Sequence, residues 1–549
     1  MRIASLVVTL ILCTLGSFAG STSPEQAQNI ATFCKVWGFL KYHHPTVTSG
    51  KVDWDKEFTS RVTAAAALET REARSTYYSA WIASLGTLPV KKEKVRNIPD
   101  SLRINQDFSW ISDQDRFDAT LVQQFKDIRA ARKPGNQEYV KSGIVGNASF
   151  KAEKAYADSV FPSAEMRMLS LSRYWNMIEY FFPYKYVIGE KWENVLERMV
   201  PTFRDAKDTT AYHLAMLELT ASIHDSHGYL ATPYIREYFG RKYVPFMFSV
   251  IEGKPVVTGF YNDSLGAVSG MQKGDVIHKV NGVPVEELMK QREKYIAASN
   301  HSAALDRYQF MLLNGSEDHV ALDYERDGKL AVNTVNRFPF LRFNYDLSKS
   351  APVDTVKMLT ADVAYVNMGV LQRGKALKLL KPLKGTKAII FDVRNYPQGS
   401  MYMVAGFLNN RKHNFATFTA PDFDDPGAVR TLRMMNCGYK NKDYYKGKVI
   451  ILFNETTQSH AEFTCMALQT APKVVSVGSQ TSGADGNVSP IIFPGGYQTY
   501  MTGLGVFYPD GRPTQRVGIV PDVEVKPSVA GIRQGRDEVL EKAIEIANQ

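Results

Sequence analysis

Short apolar segments alternate with a helical segment in the C-terminal third of the chain, and this alternation constrains the fold most strongly. Residues 459–469 have the apolar spacing of a helix. The predicted strands are 364–368, 388–393, 449–453 and 474–477. Strand, helix and strand at this spacing predict βαβ units and a mostly parallel sheet. The sequence therefore favours an α/β fold for residues 341–549, closed by an amphipathic helix at 533–547.

The N-terminal part of the chain contains an internal repeat. The shared residues are two tryptophans, a tyrosine and a proline: Trp37, Tyr42, Pro45 and Trp54 in the first copy and, 138 residues later, Trp175, Tyr180, Pro183 and Trp192 in the second. In both copies apolar residues at helical spacing precede the proline, which must end or bend a helix. We expect two related helical units, at residues 20–158 and 159–238.

The second copy continues with a polar sequence that the first copy lacks. His224-Asp225-Ser226-His227-Gly228 stands where the first copy has Gly86-Thr87-Leu88-Pro89. If helical packing alone fixed this position, both copies would carry similar residues. Ser226 and His227 are therefore candidates for a chemical role, and drift of a duplicated segment is the alternative explanation.

Residues 239–340 predict a separate β module. The turn Gly274-Asp275 leads into a short apolar strand, and Asn281-Gly282, a strong hairpin signal, follows it. This order resembles a PDZ domain in the circular arrangement found in bacterial processing proteases. PDZ domains add a peptide as an extra strand and often capture its terminal carboxylate. The resemblance implies a peptide or protein C-terminus as partner; an unrelated β-hairpin is the alternative.

The N-terminal segment predicts export. Arg2 is followed by an uncharged apolar stretch at residues 3–15 and by small residues around a cleavage pattern at Ala19. The stretch is shorter than the ~20 residues of a membrane-spanning helix. Residues 1–19 are therefore predicted to be a cleaved signal peptide, with a retained anchor as the alternative. We expect a periplasmic or secreted protein without a membrane span after cleavage.

The composition excludes two further classes of protein, nucleic-acid-binding proteins and proteins held together by a disulfide framework. The net charge is +10, but 66 basic and 56 acidic residues are mixed along the chain, so no nucleic-acid partner is expected. The chain has only four cysteines in 549 residues. Cys34, Cys437 and Cys465 lie beyond the predicted signal peptide and do not form a disulfide framework. We expect buried free thiols.

Ser459 lies where the predicted strand at 449–453 passes into a helix. The first turn of a helix presents free backbone N–H groups that favour negative charge. A serine there can act as a nucleophile, with the N–H of His460 holding the oxyanion. The alternative is an ordinary helix N-cap, which serine also favours.

Four sequence blocks occur in a set order around this serine. They are Asp225–His227, Asp392–Gly399, Asn454–Glu462 and Gly518–Val523. With the PDZ-like module between the first two, they resemble the carboxyl-terminal (tail-specific) processing peptidases and the catalytic core of tricorn protease. The resemblance covers residues 160–527. It implies a ClpP/crotonase-like α/β core and serine-dependent hydrolysis of peptide bonds.

The resemblance also implies residue roles. Ser459 takes the nucleophile position, and the backbone N–H of Gly399 is an oxyanion donor beside that of His460. Gln398 replaces the first of two glycines in the family's loop. Tail-specific members use a lysine 25 residues after the serine as general base, but this chain has Ala484 there, and alanine accepts no proton.

His227 is the expected general base instead. The tricorn-like branch uses a histidine preceded by a serine, and Ser226-His227 matches that pattern. An imidazole titrates near neutral pH, so it can take a hydroxyl proton and return it to the leaving amine. Ser226 is the expected orienting residue.

The sequence does not identify the third catalytic residue that would act with Ser459 and His227. Tricorn-like sites place a glutamate shortly before the Gly-x-x-Pro-Asp block, but this chain has Gln515 in that segment. Gln515 could bond Ser226, although it would stabilise an imidazolium poorly. Asp485 is another candidate, and so is Glu462, which lies one helical turn after Ser459 and could simply support the helix.

No metal or cofactor is expected. His224 and His227 have the spacing of one helical turn but lack an obvious third ligand, and no phosphate-binding glycine loop is evident. The sequence thus predicts an exported serine peptidase. The rival hypothesis is a catalytically inactive protein of the same fold that binds peptides or apolar ligands, and an esterase with the same serine and histidine is a third.

Overall fold

The computed structural model describes residues 21–89, 98–132, 134–135, 137–343 and 354–549. The predicted signal peptide, residues 1–19, lies outside the described residues.

The first part of the chain is helical. Its helices mostly begin at a serine, threonine or aspartate whose side chain caps the first turn, as for Ser23, Asp53 and Asp208. The helices are α1 (Pro24–His43), α2 (Pro45–Thr48), α3 (Trp54–Ala66), α4 (Arg71–Ser84), α5 (Ala119–Ala131), α6 (Ala164–Phe181), α7 (Trp192–Arg204), α8 (Thr209–Ala221) and α9 (Pro233–Phe239), with a short antiparallel pair of strands, β1 (Lys141–Ser142) and β2 (Ala148–Ser149).

The repeated tryptophans form two matching pairs. The Trp37 indole N–H donates to the carbonyl of Trp54 at 2.9 Å, and the Trp54 indole N–H donates back to the carbonyl of Trp37 at 3.1 Å. Trp175 and Trp192 make the same reciprocal bonds at 2.8 and 3.0 Å. Both pairs of rings are stacked, so α1 is held to the start of α3 in the same way as α6 to the start of α7.

A β module follows the helices. Its main sheet has the order β4-β5-β6-β8-β9, with β7 paired to β6 through the turn at Asn281-Gly282, where both residues have positive φ. Its elements are β3 (Lys242–Tyr243), β4 (Phe246–Ile251), β5 (Lys254–Phe260), α10 (Asp263–Val268), β6 (Val276–Val280), β7 (Val283–Pro284), α11 (Val285–Arg292), α12 (His301–Arg307), β8 (His319–Arg326), β9 (Lys329–Asn336) and β10 (Phe338–Pro339).

The last part of the chain is a mixed α/β layer. Its elements are β11 (Val356–Met358), β12 (Val363–Asn367), α13 (Ala376–Leu380), β13 (Ala388–Asp392), α14 (Met401–Leu408), β14 (His413–Pro421), β15 (Val429–Cys437), β16 (Lys448–Phe453), α15 (His460–Leu468), β17 (Val474–Gly478), β18 (Val488–Phe493), β19 (Tyr497–Thr502), β20 (Gly505–Phe507), β21 (Val523–Glu524), α16 (Val529–Arg533) and α17 (Glu538–Asn548).

The central sheet of this layer is mostly parallel, as the sequence predicts. Its order is β11-β12-β13-β16-β17-β21, and β11 alone runs antiparallel. One face packs on α13, α14 and α15 and the other on α17, in two separate hydrophobic clusters. The predicted strands and the helix after Ser459 are confirmed, and the closing helix begins at Glu538 rather than 533.

The hairpin β18–β19 joins this layer to the helical part. Ile491, Phe493 and Met501 belong to the hydrophobic core of the helices, and the Phe493 ring stacks on Tyr174 of α6 at 5.3 Å. The hydroxyl of Tyr212 in α8 donates to the carbonyl of Pro494 at the hairpin tip. The hairpin therefore carries residues of the α/β layer to the end of α8, where His227 lies.

Two sequence predictions concern whole-chain properties. Cys34, Cys437 and Cys465 are free and buried, as expected. Among the described residues, no helix combines the length and the apolar character needed to cross a membrane.

Candidate active site

Ser459 lies at the turn between β16 and α15. Its backbone has φ 58° and ψ −125°, a conformation that non-glycine residues rarely adopt and that marks strain at functional sites. Its N–H donates to the carbonyl of Ala484 at 2.9 Å, which ties the turn to the segment after β17. A sharp, strained strand-to-helix turn of this kind presents a serine hydroxyl at the end of a sheet.

Ser459 opens into a cavity of about 330 Å³. Aromatic and small residues line it together with one acid: Tyr396, Phe418, His460, Phe463, Asp485, Gly486, Asn487 and Val488. The Phe418 and Phe463 rings lie 5.6 Å apart on one wall. The cavity is large enough for an apolar side chain of a peptide.

The loop with Gly399 lies beside the Ser459 turn because β13 and β16 are parallel neighbours. Asp392 at the end of β13 pairs with Leu452 near the end of β16, so both loops leave the same edge of the sheet. The Thr457 hydroxyl donates to the carbonyl of Val393 at 3.2 Å, and the Tyr396 and His460 rings lie 6.1 Å apart.

Two backbone N–H groups at this edge are not engaged by other residues. Within the described chain, neither the N–H of Gly399 nor that of His460 makes a hydrogen bond. Gly399 has φ 69°, a left-handed conformation that suits glycine, and Gln398 is held by its N–H to the carbonyl of Met368 at 3.3 Å. Such N–H groups can donate hydrogen bonds to a developing oxyanion.

A guanidinium supports the Gly399 loop. Arg394 donates to Asp392 at 2.7 Å and to Asp537 of α17 at 2.9 Å, and the Tyr365 hydroxyl also donates to Asp392. These charge-assisted bonds fix the base of the loop to the sheet and the closing helix.

His227 lies in the turn after α8, and its ring is held by the β18–β19 hairpin. Its Nδ1 lies 2.8 Å from the Thr502 hydroxyl and 3.6 Å from Oδ1 of Asp225. Only the first of these distances is a hydrogen bond. Thr502 pairs with Val488, which lines the Ser459 cavity. The histidine is thus attached to the wall of that cavity.

Asp225 is completely buried beneath this turn. Its carboxylate accepts the backbone N–H of Thr502 at 2.6 Å, the Thr502 hydroxyl at 2.9 Å and the N–H of His227 at 3.1 Å. Burial alone would raise the pKa of Asp225, but the interaction with His227 and these hydrogen bonds outweigh it and lower the pKa below its usual value. The carboxylate is therefore ionised at neutral pH.

The residues that precede Ser459 and His227 are bonded to each other. The Gln458 side-chain N–H donates to the carbonyl of Ser226 at 3.4 Å. Arg307 of the β module donates to the same carbonyl at 3.2 Å and to Oε1 of Gln458 at 3.0 Å. The structure thus brings the two expected catalytic segments together, although within the described residues the Ser459 hydroxyl makes no hydrogen bond to the His227 ring.

Comparison with known proteins identifies a family domain in the C-terminal part of the chain. Residues 362–525, which include Ser459 and Gly399, match the sequence pattern of Peptidase family S41. Residues 362–525 are an S41 peptidase domain. This confirms the family resemblance for the three sequence blocks that it contains, Asp392–Gly399, Asn454–Glu462 and Gly518–Val523. The block Asp225–His227 lies outside the matched residues. No curated protein sequence matches the chain significantly.

Two CPAF structures share the fold at low sequence identity, and a third solved structure is less similar. A serine-to-alanine mutant of CPAF superposes with a TM-score of 0.55 and 16% identity, covering 70% of this chain and 98% of that chain. Mature CPAF complexed with lactacystin superposes with a TM-score of 0.53 and 14% identity, with the same coverage of the two chains. The photosystem II D1 C-terminal processing protease has a TM-score of 0.39 and 15% identity, covering 68% of this chain and 98% of that chain. The S41 domain belongs to the serine peptidases, which are hydrolases of peptide or protein substrates.

The other expected site residues form hydrogen bonds to groups other than the His227 ring. The Ser226 hydroxyl accepts the N–H of Ser299 at 2.9 Å and donates to the carbonyl of Ser482, not to His227. Gln515 donates to the Ser299 hydroxyl at 3.5 Å, and its Oε1 is buried without a partner. Within the part of the chain that the structure describes, Asp485 accepts only the N–H of Gly486, at 2.7 Å.

Sequence reasoning missed the groups that contact the His227 ring. Asp225 stands two residues before the histidine, and its position in the polar block was a usable signal. Thr502 is 275 residues away, and no local pattern marks it. Within the described residues, no cluster of three or more His, Cys, Asp or Glu side chains is arranged to hold a metal ion.

Proposed function

We propose that the protein is an exported serine peptidase that cleaves peptide bonds through an acyl-enzyme, with Ser459 as nucleophile and His227 as general base. The observation that carries the proposal is the strained Ser459 at the start of α15, in a cavity of the S41 domain, with the His227 turn bonded beside it through Gln458. The proposed mechanism requires Ser459 and His227 to form a hydrogen bond when substrate closes the site.

The chemistry follows from these positions. The Ser459 Oγ attacks the peptide carbonyl carbon while its proton passes to His227. The N–H groups of Gly399 and His460 stabilise the oxyanion. The tetrahedral intermediate collapses as His227 gives the proton to the leaving amine. Water, deprotonated by His227, then attacks the ester carbonyl, and His227 returns the proton to the Ser459 Oγ as the bond to the acyl group breaks and the acid product leaves. The core in which this occurs is proposed to have the ClpP/crotonase-like fold.

A Ser–His pair is favoured over a Ser–Lys pair. Position 484 holds a fully buried alanine whose carbonyl accepts the N–H of Ser459. An alanine methyl group cannot accept a proton, so the base must come from another segment. His227, on the helical side of the cavity wall, is the residue proposed for that role.

The β module is proposed to be PDZ-like and to recruit the C-terminus of a peptide or protein substrate. A second cavity, of about 380 Å³ and mostly apolar, lies between this module and α8–α9. Phe239 and Phe310 are among its apolar lining residues, and Arg236 and Arg307 are its basic lining residues. An apolar tail with a terminal carboxylate fits that chemistry.

The remaining parts of the proposal concern export and the helices. Residues 1–19 are proposed to direct export to the periplasm or the medium. The helical units are proposed to be a duplicated pair, which the two reciprocal tryptophan pairs support. N-terminal sequencing of the mature exported protein tests the cleavage site near Ala19.

A fluorophosphonate probe tests the nucleophile directly. We expect the full-length protein to be labelled covalently and to cleave a peptide library, and Ser459→Ala to lose both activities while it still binds peptide. Ser479→Ala, a buried serine of the neighbouring strand end, is the control that should still be labelled. Absence of labelling in the wild type together with retained peptide binding would favour the inactive binding protein, and labelling with cleavage of esters but not peptides would favour an esterase.

Peptides with free and amidated C-termini test recruitment. We expect the free carboxylate to lower KM, and Arg236→Ala to remove most of that difference while the rate of fluorophosphonate labelling stays the same. Equal KM values for the two peptides would exclude capture of the terminal carboxylate.

A further inference from the structure

The Thr502 hydroxyl joins two groups that compete for its single proton. It lies 2.9 Å from Oδ1 of Asp225 and 2.8 Å from Nδ1 of His227. Because the buried Asp225 carboxylate can only accept, the hydroxyl proton must go to Asp225. The Thr502 oxygen then has only lone pairs to offer His227, so Nδ1 of the ring must carry a proton and donate it.

This hydrogen-bond direction determines the tautomer of His227. A neutral imidazole has one protonated and one unprotonated nitrogen. With the proton on Nδ1, the unprotonated nitrogen is Nε2, at the opposite end of the ring. Nε2 is then the atom that can accept a proton from a nucleophile.

We propose that Asp225 is the acid that orients His227, and that it acts through the hydroxyl of Thr502. Asp225 and Thr502 are positioning residues, and the proposal rests on the proposed role of His227 as general base. When His227 takes the proton of Ser459, the Asp225 carboxylate, 3.6 Å from Nδ1, stabilises the imidazolium. Asp225 itself stays ionised throughout.

The position of Asp225 explains why a glutamine is tolerated at residue 515. The hydroxyls of Ser226 and Ser299 and the amide of Gln515 form a separate set of hydrogen bonds with no link to the His227 ring. Asp485 likewise bonds only its neighbour Gly486. Among the described residues, Asp225 and Thr502 alone contact Nδ1 of His227.

Magnetic resonance of isotope-labelled histidine in the full-length protein tests the inference without requiring activity. The His227 signals are assigned by their loss in His227→Gln. We expect the Nδ1–H tautomer in the wild type and a shift towards the Nε2–H tautomer in Thr502→Val, which removes the hydroxyl but keeps the backbone N–H to Asp225. An Nε2–H tautomer in the wild type, or an unchanged tautomer in Thr502→Val, overturns the proposal.

Kinetics with a conservative replacement separates positioning from packing. Thr502→Val should lower kcat/KM for peptide cleavage by about 10- to 100-fold, because it weakens but does not remove general-base catalysis, which as a whole contributes about 100- to 10,000-fold. Thr502→Ser should restore most of the activity. Asp225→Asn should lower kcat by at least about 100-fold if it folds. Equal losses in Thr502→Val and Thr502→Ser overturn the proposal. If the wild type is not labelled by fluorophosphonate, the proposed function is wrong. The His227 tautomer still tests the proposed role of Asp225 and Thr502, because it is measured without activity.

Discussion

The carboxylate of Glu462 accepts the backbone N–H of Ser459 at 3.1 Å, one helical turn away. The same carboxylate accepts the Thr481 hydroxyl and the N–H groups of Gly483 and Ala484. Glu462 therefore acts on the backbone around the serine, not on the His227 ring. Its many donors explain why this buried acid is needed for the strained turn.

Replacing Glu462 should destabilise the turn of Ser459. Glu462→Gln keeps the shape but turns one acceptor into a donor that faces N–H groups, and a mismatched buried group costs about 1–3 kcal/mol. We expect a lower urea unfolding midpoint for the S41 domain and slower fluorophosphonate labelling. Glu541→Gln, at an exposed ion pair with Arg536, is the matched control and should shift the midpoint little. Similar midpoints for both variants contradict this role.

Asp485 should make stability fall as the pH rises. Burial, and then the nearby Glu462 charge, raise the pKa of Asp485 well above its usual 3.8, which the N–H of Gly486 only partly offsets. The folded state therefore holds the proton more tightly than the unfolded chain. The stabilisation that protonated Asp485 gives to the folded state is complete below pH 3.8. It is lost as the pH rises towards the pKa of Asp485 in the folded protein.

Asp485→Asn removes this loss because an amide does not titrate in that range. The unfolding midpoint of Asp485→Asn minus that of the wild type should increase as the pH rises above 3.8. Asp510→Asn, at a fully exposed site, should show no such trend. A variant-minus-wild-type difference that is independent of pH would mean that the pKa of Asp485 is the same in the folded and unfolded states.

The reciprocal tryptophan bonds should contribute equally in the two helical units. Trp54→Phe and Trp192→Phe each remove an indole donor to the carbonyl of Trp37 or Trp175. These carbonyls lie inside α1 and α6 and keep their helical hydrogen bonds, so each loss costs about 0.5–1.5 kcal/mol. We expect similar decreases in thermal unfolding temperature for the two variants. Trp110→Phe is the control, since the Trp110 ring is only partly buried, and its effect should be smaller. Clearly unequal losses at Trp54 and Trp192 would argue against equivalent units.

Much of the α/β layer is predictable because its signals are local. Apolar runs between polar residues mark β12, β13, β16 and β17, and parallel pairing then places the Gly399 loop beside the Ser459 turn. The match of residues 362–525 to the S41 family agrees with that reading. The local sequence pattern and the chain order are therefore sufficient to predict that the Gly399 loop lies beside the Ser459 turn.

The environment of His227 is not predictable in the same way. Thr502 reaches the ring only because Phe493 and Met501 pack the β18–β19 hairpin into the helical core. That contact depends on tertiary packing between segments 275 residues apart. Ser226 was expected to orient the ring because it adjoins the histidine, yet its side chain points to Ser299 and Ser482.

The bond between Gln458 and Ser226 should set how well the two halves of the site are aligned. Gln458→Ala removes the donor to the Ser226 carbonyl and the acceptor for Arg307. A net hydrogen bond is worth about 1 kcal/mol, so we expect the rate of fluorophosphonate labelling to fall by about fivefold while the unfolding midpoint changes little. Gln309→Ala, which loses a comparable bond to Asp306 in the β module, is the control and should leave the rate unchanged. Equal labelling rates for the two variants would mean that His227 reaches Ser459 without this link, through the hairpin alone.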